Sequence, residues 1–321
     1  MKAVAVSKFK DIPVVMDLPK PAVRPGTVLV KVAAAGMNPF DWKMIDGIMD
    51  DGKTKHQFPL IMGVDGAGTI EEVGEGVTRF KVGDKIYGQF IHSPIGEGSY
   101  AEYAIVPEKS GITKAPSGIS AVEAAAVPTS GMTAQQLLDK LDLQEGNTLL
   151  IVGATGGVGS FAVQLAAAQG IHVIATVSDE AGAERMKKLG AAETINYKTA
   201  SLTGQVKEKY PEGVDGLLDL ISNSENFEAH LDLLKPGSGA LTTAFVAKEE
   251  ALKSRNLHGG NFETQGSAAS LDTLTLIIDR GGLTIPVENK IRLEDAPAAI
   301  ALSRQAKAKG KTVIVIGADF V

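Results

Sequence analysis

The chain has 321 residues, 44% hydrophobic and 22% charged, a balance that fits a globular protein with room for two domains. Its formal net charge of −6 argues against nucleic acid as the main partner, because phosphate neutralisation needs a basic face. With no cysteine there can be no disulfide and no thiolate metal ligand, and no stretch approaches the roughly 18–20 apolar residues of a membrane span. No signal-like apolar run follows Met1–Lys8, which makes the cytoplasm the expected compartment.

The first third reads as β-rich. Strands are expected over 28–33, 69–73, 85–87 and 100–106, with glycine or proline in nearly every interval. Short strands so punctuated suggest a compact barrel or sandwich. The texture changes near residue 118. Residues 119–126 read as a helix with Ser120 at its N-cap and Glu123 three positions on, a capping box. From Thr148 strands alternate with helices: strands over 148–152, 171–177, 193–195, 214–220 and 240–245, with a helix over 180–189. That alternation implies a doubly wound parallel sheet. The tail adds a strand over 290–293, a helix near 294–308 and a last strand over 311–316.

The densest signal is Gly153-Ala154-Thr155-Gly156-Gly157-Val158-Gly159, placed after the apolar run 148–152. Behind it, Val158, Phe161, Ala162, Leu165 and Ala166 fall on one helical face. Strand, glycine-rich turn and helix in that order can hold a dinucleotide pyrophosphate. Glycines let the backbone approach the phosphates, and the helix N-terminus offers unpaired N–H groups and a positive dipole end. An NAD site wants an acid at the tip of the next strand to bind the ribose hydroxyls. Here that tip reads Val177-Ser178-Asp179-Glu180, with the acids late and Asp179 placed to open a helix. Ser178 is neutral and could accept a 2′-phosphate, with Arg185, Lys187 and Lys188 close behind. The reading is NADPH, with NADH selected instead should Asp179 turn inward.

Seven segments in order give the chain its resemblance to a known family. They are Ala35–Lys43 (AGMNPFDWK), Gly63–Thr69 (GVDGAGT), Gly74–Val77, Phe80–Gly88 (FKVGDKIYG), Gly98–Tyr103 (GSYAEY), Val127–Ala134 (VPTSGMTA) and the glycine-rich turn. The chain resembles the zinc-independent quinone oxidoreductase and enone (alkenal) reductase branch of the medium-chain dehydrogenase/reductase superfamily, over nearly its whole length. The resemblance implies an α/β protein: a GroES-like β-barrel domain (1–118), a Rossmann domain (119–286) and a C-terminal return to the first domain (287–321). It also implies a cleft for the nicotinamide, and a homodimer paired through Rossmann edge strands at Asn256–Phe262. Zinc-dependent relatives need a cysteine near Asn38 and a histidine where Val64 stands, so neither catalytic nor structural zinc is expected.

The same resemblance nominates site residues. Asn38 would face the nicotinamide and Lys43 the cofactor or substrate, while Asp41 reads as a helix cap. Tyr87, Tyr100 or Tyr103 could donate a proton, with Tyr103 read as strand packing. Thr129 and Thr133 would lie against the nicotinamide. Tyr197 matches a position near the 2′-phosphate, whereas Gly182 stands where members with a firm NADPH preference often carry lysine. Ser222, Asn223 and Thr243–Phe245 end the fourth and fifth strands, where an open α/β sheet binds ligands. The five histidines show no metal-ligand spacing. The function implied is hydride transfer from NADPH to a quinone or the β-carbon of an enone, with residues 44–57 shaping the pocket mouth. The alternative is an NADPH-binding redox sensor or structural protein with little catalysis.

Overall fold

The computed structural model describes residues 1–305 and 310–320. The chain forms two compact units, 133–265 and the remainder. The first unit opens with β1 (Lys2–Val6), β2 (Val14–Asp17), β3 (Thr27–Gly36), α1 (Pro39–Ile45), β4 (His56–Ile61), β5 (Asp65–Val73), β6 (Lys85–Gln89), β7 (Ile95–Glu97), β8 (Tyr103–Pro107), β9 (Ile112–Lys114) and α2 (Ala121–Ala126). The division falls within α3 (Pro128–Leu141). Ser120 and Glu123 make the expected capping box on α2, and that helix packs on β3 and β5.

The second unit is an alternating array: β10 (Thr148–Val152), α4 (Gly157–Ala168), β11 (His172–Val177), α5 (Glu180–Lys188), β12 (Glu193–Asn196), α6 (Leu202–Lys209), β13 (Val214–Asp219), α7 (Ser224–Leu231), β14 (Leu234–Thr242), α8 (Glu249–Lys253) and β15 (His258–Asn261). Its six strands are all parallel, in the order β12-β11-β10-β13-β14-β15. This is the doubly wound Rossmann sheet, and its order reverses between β10 and β13. Central strands covered on both faces must be apolar throughout, as Leu149–Val152 are. Their core includes Leu150, Ile174, Leu217, Phe227 and Leu231. The fifth strand ends at Thr242, so Phe245 lies beyond it in a left-handed conformation (φ 59°).

The chain then returns to the first unit through α9 (Ala268–Asp279), β16 (Asn289–Arg292), α10 (Ala296–Arg304) and β17 (Thr312–Val315). β17 pairs antiparallel with β3, Val313 opposite Gly36. The larger sheet of this unit runs β16-β17-β3-β5-β6-β9, with β8 also on β3, and a smaller one runs β2-β1-β4-β7. The unit limits differ from the 118/119 and 286/287 divisions read from sequence, because α2 packs on β3 and α9 packs on β9. The strand expected over 100–106 begins only at Tyr103, since the Tyr100 backbone bonds instead to Val4 and Met62. The last part of the helix expected near 294–308 lies outside the described residues. No helix among the described residues is long and apolar enough to cross a membrane.

Leu150 is fully buried at mid-β10, in register with Ile174 and Leu217. Leu150→Ala is expected to lower unfolding free energy by about 2–5 kcal/mol, read from urea denaturation.

Candidate active site

In the second unit the turn after β10 is built by backbone constraints. Gly153 has φ 86°, which favours glycine, and its N–H donates to the buried Thr176 hydroxyl at 3.1 Å. The Gly156 N–H closes the turn on the Gly153 carbonyl at 3.1 Å. Gly156 is the N-cap of α4, and no side chain caps that helix. A Cβ on Gly159 would lie 2.5 Å from the Gly153 oxygen and 2.6 Å from Ala154 Cα, so the first helical turn can press on the loop only without a side chain there. A twelve-residue helix whose first N–H groups have no capping side chain, behind a glycine-rich turn, suits an anionic diphosphate. The residues present therefore fit a dinucleotide.

The unit also carries the other expected cofactor residues. Ser178, just past β11, donates to Asp179 at 3.0 Å, and Asp179 accepts the Gly182 N–H at 2.8 Å as the cap of α5. Asp179 therefore serves its own helix. Arg185 donates to the Thr155 carbonyl at 2.5 Å, which holds its guanidinium against the glycine-rich turn, and partial burial lowers its pKa. Tyr197, Ile221 and Phe245 follow β12, β13 and β14 and are 46%, 65% and 57% exposed. Three large apolar side chains thus crown the strand ends where such a sheet binds its ligand. Ser222 lies in the loop after β13, its N–H on Asp219. Thr133 is buried, its hydroxyl 2.5 Å from that of Thr264.

The first unit holds a buried polar cluster. Asn38 precedes α1, and its amide is used at both ends: Nδ2 donates to Asp65 Oδ2 at 2.9 Å, and Oδ1 accepts from Lys311 Nζ at 2.8 Å. Lys311 Nζ is 3.6 Å from Asp65 and 3.5 Å from the Ser130 hydroxyl. Thr129 gives Asp65 both its hydroxyl, at 2.6 Å, and its N–H, and accepts from Gln89 at 2.8 Å. Asp41 accepts the Asn38 N–H and the Tyr100 hydroxyl, each at 2.7 Å, and the Val64 N–H at 3.0 Å. Burial dominates every titration here. It pushes Asp41 up to about 6, against the pull of Tyr100 and Asn38, and raises Asp65 against the pull of Lys311. It lowers Lys311 and drives Tyr100 well up.

The cluster revises several sequence expectations. Asp41 keeps its expected capping role, but from inside α1: as the third helical residue it reaches back to the Asn38 N–H in a capping box. Asn38 is buried, with its amide committed to Asp65 and Lys311. Tyr87 is fully buried, its hydroxyl bonded to the Leu271 carbonyl at 3.0 Å and the Thr275 hydroxyl at 2.9 Å on α9. Burial raises its pKa, so this phenol anchors a helix where a proton donor was expected. Tyr100 anchors Asp41, and Tyr103 underlies Lys20 at 4.2 Å from the ring centre. Lys43 lies outside the cluster, 5.8 Å from the Trp42 ring centre. Asp65 and Lys311 were missed as site residues. Asp65 could have been found as the charged member of the Gly63–Thr69 segment, but nothing local marks Lys311.

A doubly wound sheet with a glycine-lined turn fit for a dinucleotide, in one chain with a mostly antiparallel unit that holds a buried charge cluster, points to a nicotinamide-dependent oxidoreductase. Residues 24–117 match the family model for the alcohol dehydrogenase GroES-like domain, and residues 157–279 match that for zinc-binding dehydrogenase. The chain is 33% identical over 314 residues to a chloroplast envelope quinone oxidoreductase homolog of Arabidopsis thaliana, covering 93% of this chain and 92% of that one. It is 32% identical over 338 residues to a mitochondrial NAD(P)H oxidoreductase, RTN4IP1, of Danio rerio, covering 92% and 85%. The quinone oxidoreductase from Coxiella burnetii superposes with a TM-score of 0.87 at 27% identity, over 98% of this chain and 99% of that one. A mycobacterial protein complexed with NADPH superposes with a TM-score of 0.83 at 25% identity, over 98% and 99%. The chain belongs to the medium-chain dehydrogenase/reductase superfamily, in its quinone oxidoreductase branch.

Removing one member of a buried ion pair strands the other. Lys311→Met should cost about 3–5 kcal/mol in chemical denaturation, and Asp65→Asn in the same chain should recover most of it. Asp41 should titrate near pH 6 in carboxyl-carbon NMR. Because its folded pKa lies above the ordinary value of about 3.9, the folded state binds the proton more tightly. Its contribution to stability is full below about pH 4 and fades as pH rises through about 6.

Proposed function

We propose that the chain is an NADPH-dependent reductase of quinones or α,β-unsaturated carbonyls that works without zinc. The observation carrying the cofactor choice is the edge of the glycine-rich turn: Asp179 caps α5 through Oδ1 and accepts the Ser178 hydroxyl through Oδ2, Ser178 is neutral, and Arg185 is held on the Thr155 carbonyl. A carboxylate facing the ribose would repel a 2′-phosphate, whereas a guanidinium beside a hydroxyl attracts it. Tyr197 would pack beside that phosphate, with Ile221, Ser222 and Phe245 along the nucleotide. The bound nicotinamide would supply hydride from C4.

Zinc independence is supported by residue chemistry. By the family resemblance, metal-dependent relatives need a cysteine at Asn38 or its neighbours and a histidine where Val64 stands, and here Asn38 Oδ1 is taken by the Lys311 ammonium. Without a Lewis acid, the acceptor must already be electron-poor, as quinones and enones are. The buried Tyr87 and Tyr100 phenols, with raised pKa values and hydroxyls committed elsewhere, favour water as the source of the product's proton. β15 is the edge of the six-stranded sheet, and we propose that a second copy pairs there to form a dimer.

The test is NADPH and NADH oxidation against quinones, enals and cyclic enones. Turnover with NADPH and an electrophilic acceptor is expected. Tight NADPH binding with no consumption across the panel would favour the sensor reading, and stoichiometric zinc in protein purified without added metal would overturn the metal-free one. Ser178→Asp should raise the Michaelis constant for NADPH about tenfold or more relative to that for NADH, by like-charge repulsion at the 2′-phosphate. Unchanged constants for both nucleotides would remove Ser178 from the site.

A further inference from the structure

Asp219 is the last residue of β13, in register with Val152 of β10 and Thr242 of β14. It is fully buried, at the point where the sheet order reverses. Its Oδ1 accepts the Ser222 N–H at 3.0 Å and the Ile221 N–H at 3.3 Å. Its Oδ2 lies 2.8 Å from Nδ1 of His230, which is itself buried on α7. An ionised carboxylate only accepts, so Nδ1 must carry the hydrogen in this contact. α7 is fixed by Phe227 and Leu231, both in the unit's core.

The loop between β13 and α7 is thus clamped along its length. The Leu220 N–H donates to the Val152 carbonyl at 3.0 Å, and the Asn223 side chain caps α7 on the Asn226 N–H at 2.9 Å. Ile221 sits directly over the glycine-rich turn: a Cβ on Gly153 would be 2.9 Å from its Cγ2. Its side chain is nevertheless mostly exposed. A large apolar residue held over a phosphate-type turn by a buried carboxylate–imidazole hydrogen bond is an arrangement the sheet itself does not require.

We infer that Asp219 and His230 are positioning residues that set the 220–223 loop over the glycine-rich turn before any nucleotide arrives. This rests on the reading of that turn as the nicotinamide nucleotide's site. Without the imidazole, Oδ2 would be left in apolar surroundings with no donor, and the carboxylate would turn away from Ile221 and Ser222 to satisfy it. The loop follows β13, whereas Ser178 follows β11, on the other side of β10. Loss of the clamp should therefore weaken NADPH and NADH alike, unlike a change at Ser178.

The experiment uses full-length wild type, His230→Leu and His230→Asn. It measures dissociation constants for NADPH and NADH by calorimetry and amide exchange over 219–223. His230→Leu should raise both constants by the same factor, about tenfold, and speed Ile221 and Ser222 exchange in the nucleotide-free protein by about as much. The asparagine amide nitrogen falls near the place of Nδ1, so His230→Asn should return both readings to within about threefold of wild type. Unchanged constants in a folded His230→Leu protein would overturn the inference alone. So would loop amides that exchange freely in nucleotide-free wild type, a measurement that decides the matter even if His230→Leu does not fold. Failure of wild type to bind either nucleotide would overturn the reading of the turn together with this inference.

Discussion

On the proposed reading, the backbone at the start of α4 must come close to a diphosphate, and the second unit is arranged around that approach. Gly153 turns the chain with a positive φ, and Gly159 lets the helix press on the Gly153 carbonyl. β10 delivers this turn to the place where the sheet order reverses, so the ends of its neighbours flank it. Arg185 reaches it from α5, and Ile221 lies on it from the loop after β13. Phe245 accepts a left-handed backbone that costs a bulky residue about 1–2 kcal/mol, a strain typical of segments shaped for a ligand.

The first unit depends on a different constraint. Asp41, Asp65 and Lys311 are all buried, so two carboxylates face one ammonium. A proton on Asp41 would bring that count to zero, in line with the upward push on its pKa. Buried pairs of this kind stabilise little compared with apolar packing, but they tolerate little misplacement. Through them the corner before α1, the start of β5, the first turn of α3 and the residue before β17 are locked into one arrangement.

The parallel strands were legible because burial on both faces makes them apolar runs. Those at 148–152, 171–177 and 214–220 fall within a residue of β10, β11 and β13. The glycine-rich turn was legible because few other needs place so many glycines between a strand and a helix. β14 was harder: its first half, Leu234–Gly239, carries lysine, proline and glycine and reads as a loop. β4 contains Pro59 and β7 contains Gly96, so neither has a local strand signature, and parallel pairing between them holds them in place. The site of the first unit was only half legible. Asn38, Asp41 and Thr129 lie in recognisable segments, but Lys311 reaches them only because β17 pairs with β3. Tyr87 shows the converse limit: a tyrosine in a family-like segment says nothing of where its hydroxyl points, and here α9 covers it.

A crystal structure of the full chain grown with NADPH tests the central claim most directly. The account predicts the pyrophosphate on the N–H groups at the start of α4, with Ile221 alongside it and the 2′-phosphate between Ser178 and Arg185. A nucleotide seated elsewhere, or a 2′-phosphate turned away from both residues, would contradict it.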